Sequence, residues 1–173
     1  MKHVMIDIET FGKAPDACII EIGAVEFDMD GTFGDELDCP IHPQTSLDLG
    51  MKLDVDTILW WGSIGGWQLP DKYWTIEGAL NKLADTDWNK FEGVWTNAPT
   101  FDFVILDNAY KLMGKELPWH YRQQRCARTL LYTALQIIPD IQLPERQTAK
   151  HNALHDAIYQ AQIVQYLMAR LGE

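Results

Sequence analysis

The chain is short of positive charge and of cysteine, and it has no long apolar run. Lysine and arginine number 14 against 25 aspartates and glutamates, a formal net charge of −11. That deficit excludes tight binding of a polyanion by bulk electrostatics, which needs a positive surface. It leaves open an enzyme that touches few phosphates and whose acidic site is offset by cations. The three cysteines, Cys18, Cys39 and Cys126, are odd in number and form no spaced cluster. Reduced thiols and a cytoplasmic location are therefore expected. No stretch approaches the roughly 20 apolar residues that span a bilayer, and the start of the chain shows no signal-peptide pattern, so no membrane partner is expected. Apolar residues are abundant, at 47%, which is ample for one core. A length of 173 residues predicts one domain over residues 1–173.

Residues 3–8, 18–27 and 32–41 read as three strands joined by short turns, an antiparallel meander. The period then changes. Asp54 or Asp56 can cap a helix carrying Ile58, Leu59 and Trp61. A second helix is predicted over residues 75–83. A short strand follows at 94–96. The next helix spans 101–113, with Phe101, Val104, Ile105 and Leu112 facing inward. A fifth strand is predicted around 123–127 and a helix over 129–136. Residues 139–150 read as a loop, and residues 153–171 as a last helix with an apolar stripe through Leu154, Ala157, Ile158, Ala161, Val164, Met168 and Leu171. Strands first, then alternating helices and strands, predict an α/β fold with a mixed sheet covered by helices.

Three blocks carry the chemistry. Asp7 and Glu9 lie two apart in a strand pattern, so both point to one face. Buried there unpaired they would be costly, and a cation removes that cost. Asp102 follows a strand at or near a helix start, where a carboxylate also suits the helix dipole. His151 and Asp156 flank the start of the last helix. Each block alone has an ordinary structural explanation; their combination is specific. Four carboxylates suit two hard divalent cations, Mg²⁺ or Mn²⁺. Two such ions about 4 Å apart can stabilise the attacking and leaving oxygens of a displacement at phosphorus. The histidine is then free to move a proton.

The pattern Asp-x-Glu, Asn-x-x-x-Phe-Asp, His-x-Ala-x-x-Asp resembles the DEDD exonucleases. His151, five residues before Asp156, marks the DEDDh branch; the tyrosine of the other branch would fall at Asn152. The resemblance runs from residue 4 to 168. It implies a ribonuclease H-like fold with a mixed five-stranded sheet, the second strand antiparallel to its neighbours. It implies metal-dependent 3′→5′ exonuclease activity, metal ligation by Asp7, Glu9, Asp102 and Asp156, and His151 as general base. It also implies that the turn at Thr10, Phe11 and Gly12 meets the terminal nucleotide. Trp60-Trp61, Pro118-Trp119-x-Tyr121 and the run at 125–129 look like a compact bacterial and phage subgroup that includes DNA and RNA degraders.

The expected substrate is a single-stranded 3′ end, released as nucleoside 5′-monophosphates. The tryptophan-rich middle tilts the expectation to DNA, with RNA as the alternative. Trp61 is the candidate for stacking on a base. Arg122, Arg125 and Arg128 are candidates for phosphate contact, or for ion pairs with the excess acids. Glu21 and His155 read as structural. A catalytically silent nucleic-acid or partner-binding module is the rival of another class, and the intact set of five site residues argues against it. A nucleotide phosphomonoesterase is a weaker rival. Homodimerisation is compatible with the resemblance, but no residue pattern specifies it.

Overall fold

The structure, a computed structural model, describes residues 1–147 and 150–172. Its centre is strand β1 (His3–Thr10). Val4, Ile6 and Ile8 alternate with Met5, Asp7 and Glu9, so the two acids share one face of the sheet with Met5 and the other face of the strand is apolar. Strands β2 (Ile19–Phe27) and β3 (Phe33–Pro40) complete the antiparallel meander. Strands β4 (Gly93–Thr96) and β5 (Gln124–Cys126) add in parallel on the other side, giving the order β3-β2-β1-β4-β5. The parallel pair β1–β4 brings two strand C-termini to one edge of the sheet, where α/β proteins commonly place their sites.

Six α-helices are present among the described residues: α1 (Pro43–Asp48), α2 (Val55–Ser63), α3 (Ile76–Ala84), α4 (Asp102–Leu112), α5 (Ala127–Ile137) and α6 (Ala153–Leu171). Val4, Ile6 and Ile8 pack with Ile76, Leu80 and Leu83 of α3 and with Phe103, Leu106 and Tyr110 of α4. On the other face Met5, Val25, Phe27 and Trp95 pack with Ala157, Ala161 and Val164 of α6. Ala153, Ala157 and Ala161 recur every four residues and are fully buried, so α6 lies close on the sheet. The closest approach is at Gly23 of β2. A Cβ there would stand 2.2 Å from the backbone carbon of Ala153 and 2.2 Å from the nitrogen of Leu154.

Asp54 is the residue that caps α2, accepting from the Thr57 amide at 2.8 Å. Two helical faces differ from the sequence reading. In α4 the buried residues are Asp102, Phe103, Ile105, Leu106, Ala109 and Tyr110, whereas Val104 and Leu112 are 40% and 42% exposed. Asp102 is itself buried at the first helical position, and the helical period from it reaches 106, 109 and 110 rather than 104 and 112. In α2 the inward pair is Thr57 and Trp61, and Ile58 and Leu59 face outward. The short helix α1 was not expected. Its signal is Pro43 in the first turn, where proline is pre-set for helix entry. The expected loop at 139–150 includes residues 148 and 149, which lie outside the described residues.

Candidate active site

The five candidate residues converge at the C-terminal edge of β1 and β4 from three directions. Asp7 and Glu9 come from β1, Asp102 from the first turn of α4 after β4, and His151 and Asp156 from the start of α6. Ligand atoms of Glu9, His151 and Asp156 all lie within 4.8 Å of one another. Asp7 and Asp102 form the deeper part, 8% and 3% exposed. Hydrogen bonds and an ion pair hold three of the carboxylates. Asp7 accepts from the Gln160 side chain of α6 at 2.7 Å. Asp102 accepts from the Ala98 amide at 3.3 Å. Asp156 accepts from the His151 amide at 3.3 Å and pairs with the guanidinium of Arg146, which lies over the Tyr159 ring. Arg146 gives no signal in the sequence, because it follows two prolines in an irregular segment with no periodicity to place it.

So many acids close together perturb one another. Burial, followed by the Asp102 charge, holds the Asp7 carboxyl well above the usual range. Burial, followed by the Glu21 and Asp102 charges, pushes Glu9 up from 4.5 to about 8. Burial pushes Asp102 up to about 7 against several hydrogen bonds. Such a set is unfavourable when fully ionised. It suits divalent cations, whose charge offsets it, and carboxylate oxygens are the donors that Mg²⁺ and Mn²⁺ prefer. The donor set therefore fits the metals that DEDDh exonucleases use.

A pH dependence follows. A carboxyl with a raised pKa in the fold binds protons more tightly there than in the unfolded chain, so its contribution to stability is greatest below the unfolded pKa and is lost as pH rises to the folded value. For Glu9 that window runs from 4.5 to about 8. The metal-free melting temperature is expected to fall between about pH 5 and pH 8, and Mn²⁺ is expected to abolish most of that fall by binding the ionised site. Differential scanning fluorimetry across this range checks it. A metal-free melting temperature that rises through the window would contradict the electrostatic picture.

His151 is exposed and has a φ of 63°, a left-handed conformation that costs about 1–2 kcal/mol for a residue other than glycine. Its ring meets Trp60 edge-on at 5.0 Å and Trp61 at 5.9 Å. Partial burial and the charges of Arg146 and Lys150 lower its pKa, which keeps the imidazole neutral and able to accept a proton near pH 7.

Beside these groups lies a cleft of about 220 Å³ lined by Ile8, Glu9, Thr10, Lys13, Trp60 and Phe101, among others. Of the residues expected to meet substrate, Thr10 is buried with its hydroxyl bonded to the Gly12 carbonyl at 2.6 Å. Phe11 packs edge-on against Trp61 and Trp67. Trp61 does not offer a stacking face: it is 5% exposed, and its indole N–H donates to the Thr10 carbonyl at 3.0 Å. It shares the inward side of α2 with Thr57, one turn away. Its neighbour Trp60 points outward and is 43% exposed. Arg125 is committed to the carbonyls of Arg122, Gln124 and Glu92. A larger cavity of about 450 Å³ lies beside β2, β3 and the end of α3, away from the five residues.

A mixed five-stranded sheet with carboxylates gathered where two parallel strands end, and an imidazole beside them, defines a ribonuclease H-like DEDDh exonuclease. The chain belongs to the family described as the 3′-5′ exoribonuclease Rv2179c-like domain, whose model matches residues 2–168. It is accordingly a 3′-5′ exonuclease, a hydrolase of phosphodiesters. Two solved structures share the fold. One is exonuclease X in complex with 5′ overhanging duplex DNA, with 19% identity over 99% of this chain and 93% of that one, at a TM-score of 0.61. The other is the nuclease domain of 3′hExo, a DEDDh family member, bound to rAMP, with 15% identity over 97% and 92% of the two chains, at a TM-score of 0.67. No curated protein matches the chain in sequence.

Proposed function

We propose that the enzyme removes nucleoside 5′-monophosphates one at a time from the 3′ end of single-stranded RNA. The observation that carries the reading is the meeting of Glu9, His151 and Asp156 within 4.8 Å beside a cleft of about 220 Å³, a size that suits a single terminal nucleotide rather than a duplex. Asp7, Glu9, Asp102 and Asp156 would hold two divalent cations, Mg²⁺ or Mn²⁺, which supply the Lewis acidity that displacement at phosphorus needs. His151 accepts the proton of the attacking water at its imidazole. The indoles of Trp60 and Trp61, edge-on to that ring at 5.0 and 5.9 Å, orient it. Trp60 offers the exposed aromatic face on which a base can stack. Arg146 serves as counter-ion to Asp156.

The choice of RNA rests on the family description. The tryptophan-rich middle tilted the sequence reading to DNA, but Trp61, Trp88, Trp95 and Trp119 are buried. Trp88 and Trp119 pack against each other at 4.7 Å, tilted by 52°, within the core. Those residues report packing and carry no information about the sugar. The net charge of −11 disfavours a grip on a long duplex and favours brief engagement of an end. Matched single-stranded RNA and DNA oligomers labelled at the 5′ end, cleaved under single-turnover conditions with Mn²⁺, test the choice. RNA is expected to be cleaved about tenfold faster, a preference of about 1.4 kcal/mol in the transition state. A DNA rate equal to or above the RNA rate would return the assignment to DNA without disturbing the site.

A further inference from the structure

Glu21 lies in β2 directly opposite Glu9 of β1 and is 7% exposed. Two like charges directly opposed across strands are destabilising, and no step proposed above uses Glu21. Its carboxylate is nevertheless fully engaged. One oxygen accepts from the Ala153 amide at 3.0 Å and from the Asn152 side chain at 3.4 Å. The other accepts from the Trp67 indole at 2.6 Å. Residues 152 and 153 are the backbone between His151 and Asp156. Two residues along the same strand, Gly23 lets Ala153 and Leu154 approach to where a Cβ would be only 2.2 Å away. A buried carboxylate and a glycine thus form one socket for the start of α6.

We infer that Glu21 is a positioning residue of the hydrolytic site, holding the segment that carries His151 and Asp156 in register with Glu9. The inference rests on the two-cation reading above. A carboxylate is the side chain for the task. It presents only acceptors to three N–H donors, whereas an amide would turn donors of its own toward one of them. The cost of facing Glu9 is offset by those three hydrogen bonds, and the same pairing ties the arm to the strand that carries Asp7 and Glu9. Residues that orient ligands from behind typically cost 10–100-fold in metal affinity or activity when changed.

The test compares Glu21→Ala, Glu21→Gln and Gly23→Ala in the whole chain. Each is expected to lower kcat by about 10–100-fold and to weaken the Mn²⁺-induced rise in melting temperature by a similar factor in Mn²⁺ concentration, with KM for the oligomer little changed. The glycine variant reaches the same arm by a steric route, so agreement among the three assigns the effect to the joint; if Glu21→Ala does not fold, the other two decide. Tyr110→Phe, which removes a buried hydrogen bond to the Leu80 carbonyl, serves as the control for general loss of stability and should leave kcat and the Mn²⁺ response unchanged. Glu21 variants that melt lower but keep both wild-type kcat and Mn²⁺ response would overturn the inference alone. A wild-type enzyme without cation-dependent cleavage would overturn the parent reading and this one with it.

Discussion

Alanine at any one of Asp7, Glu9, Asp102 or Asp156 is expected to reduce turnover by about 10³-fold or more while leaving a folded protein. Lewis-acid stabilisation of charge at phosphorus is worth several kcal/mol, and each 1.36 kcal/mol is a factor of ten in rate. Loss of one carboxylate from a set of four forfeits much of that. The fold should tolerate the change. The site is electrostatically strained when empty of cations, since burial and mutual repulsion hold Asp7, Glu9 and Asp102 above their ordinary pKa values. Removing a buried like charge relieves its neighbours, so the metal-free melting temperature of Glu9→Ala at pH 8 should equal or exceed that of the parent. Asp156→Ala differs, because it leaves Arg146 without the carboxylate it pairs with. That variant is expected to be the least stable of the four. Chelation is the parallel experiment: excess EDTA should abolish cleavage, and Mg²⁺ or Mn²⁺ should restore it. Undiminished cleavage in excess chelator would sink the two-cation reading.

The second large effect concerns His151. His151→Ala is expected to lower kcat by roughly 10²–10⁴, the range for general base catalysis, with little change in KM. The acidic limb of the rate should titrate below the ordinary histidine pKa, because partial burial and the charges of Arg146 and Lys150 disfavour the imidazolium. The neutral ring is the competent form, so the rate climbs as pH rises through that value and then levels. His151→Asn should remove the limb. His155→Ala should keep it, since His155 is exposed and its backbone amide donates to the Asn152 side chain that caps α6. If His155→Ala were the crippling change, the base has been misassigned.

Much of this protein is written in local pattern. Asp7 and Glu9 share a face because a strand alternates, and their place in an apolar run sets Asp7 in the buried and Glu9 in the half-buried part of the site. The meander, a helix cap at Asp54 or Asp56 and the start of the last helix at Ala153 follow from period and capping chemistry, which act over a few residues; the choice of Asp54 came from the structure. Membership of the DEDDh exonucleases was likewise legible, because the spacing around Asp102, His151 and Asp156 is itself sequence.

Tertiary structure decided what depends on which side of a helix meets the sheet. Trp60 and Trp61 are equivalent as letters, and only the docking of α2 buries one and leaves the other exposed. The inward face of α4 is set by Asp102 reaching the sheet edge, which displaced Val104 and Leu112 to the outside. Glu21 gives no signal in the chain, since its partners Trp67, Asn152 and Ala153 lie 46, 131 and 132 residues away. Arg146 is equally silent until the fold brings it to Asp156. The residues that bear the charge were set by the sequence alone, and the residues that hold them in place were set by contacts between distant segments, which only packing creates.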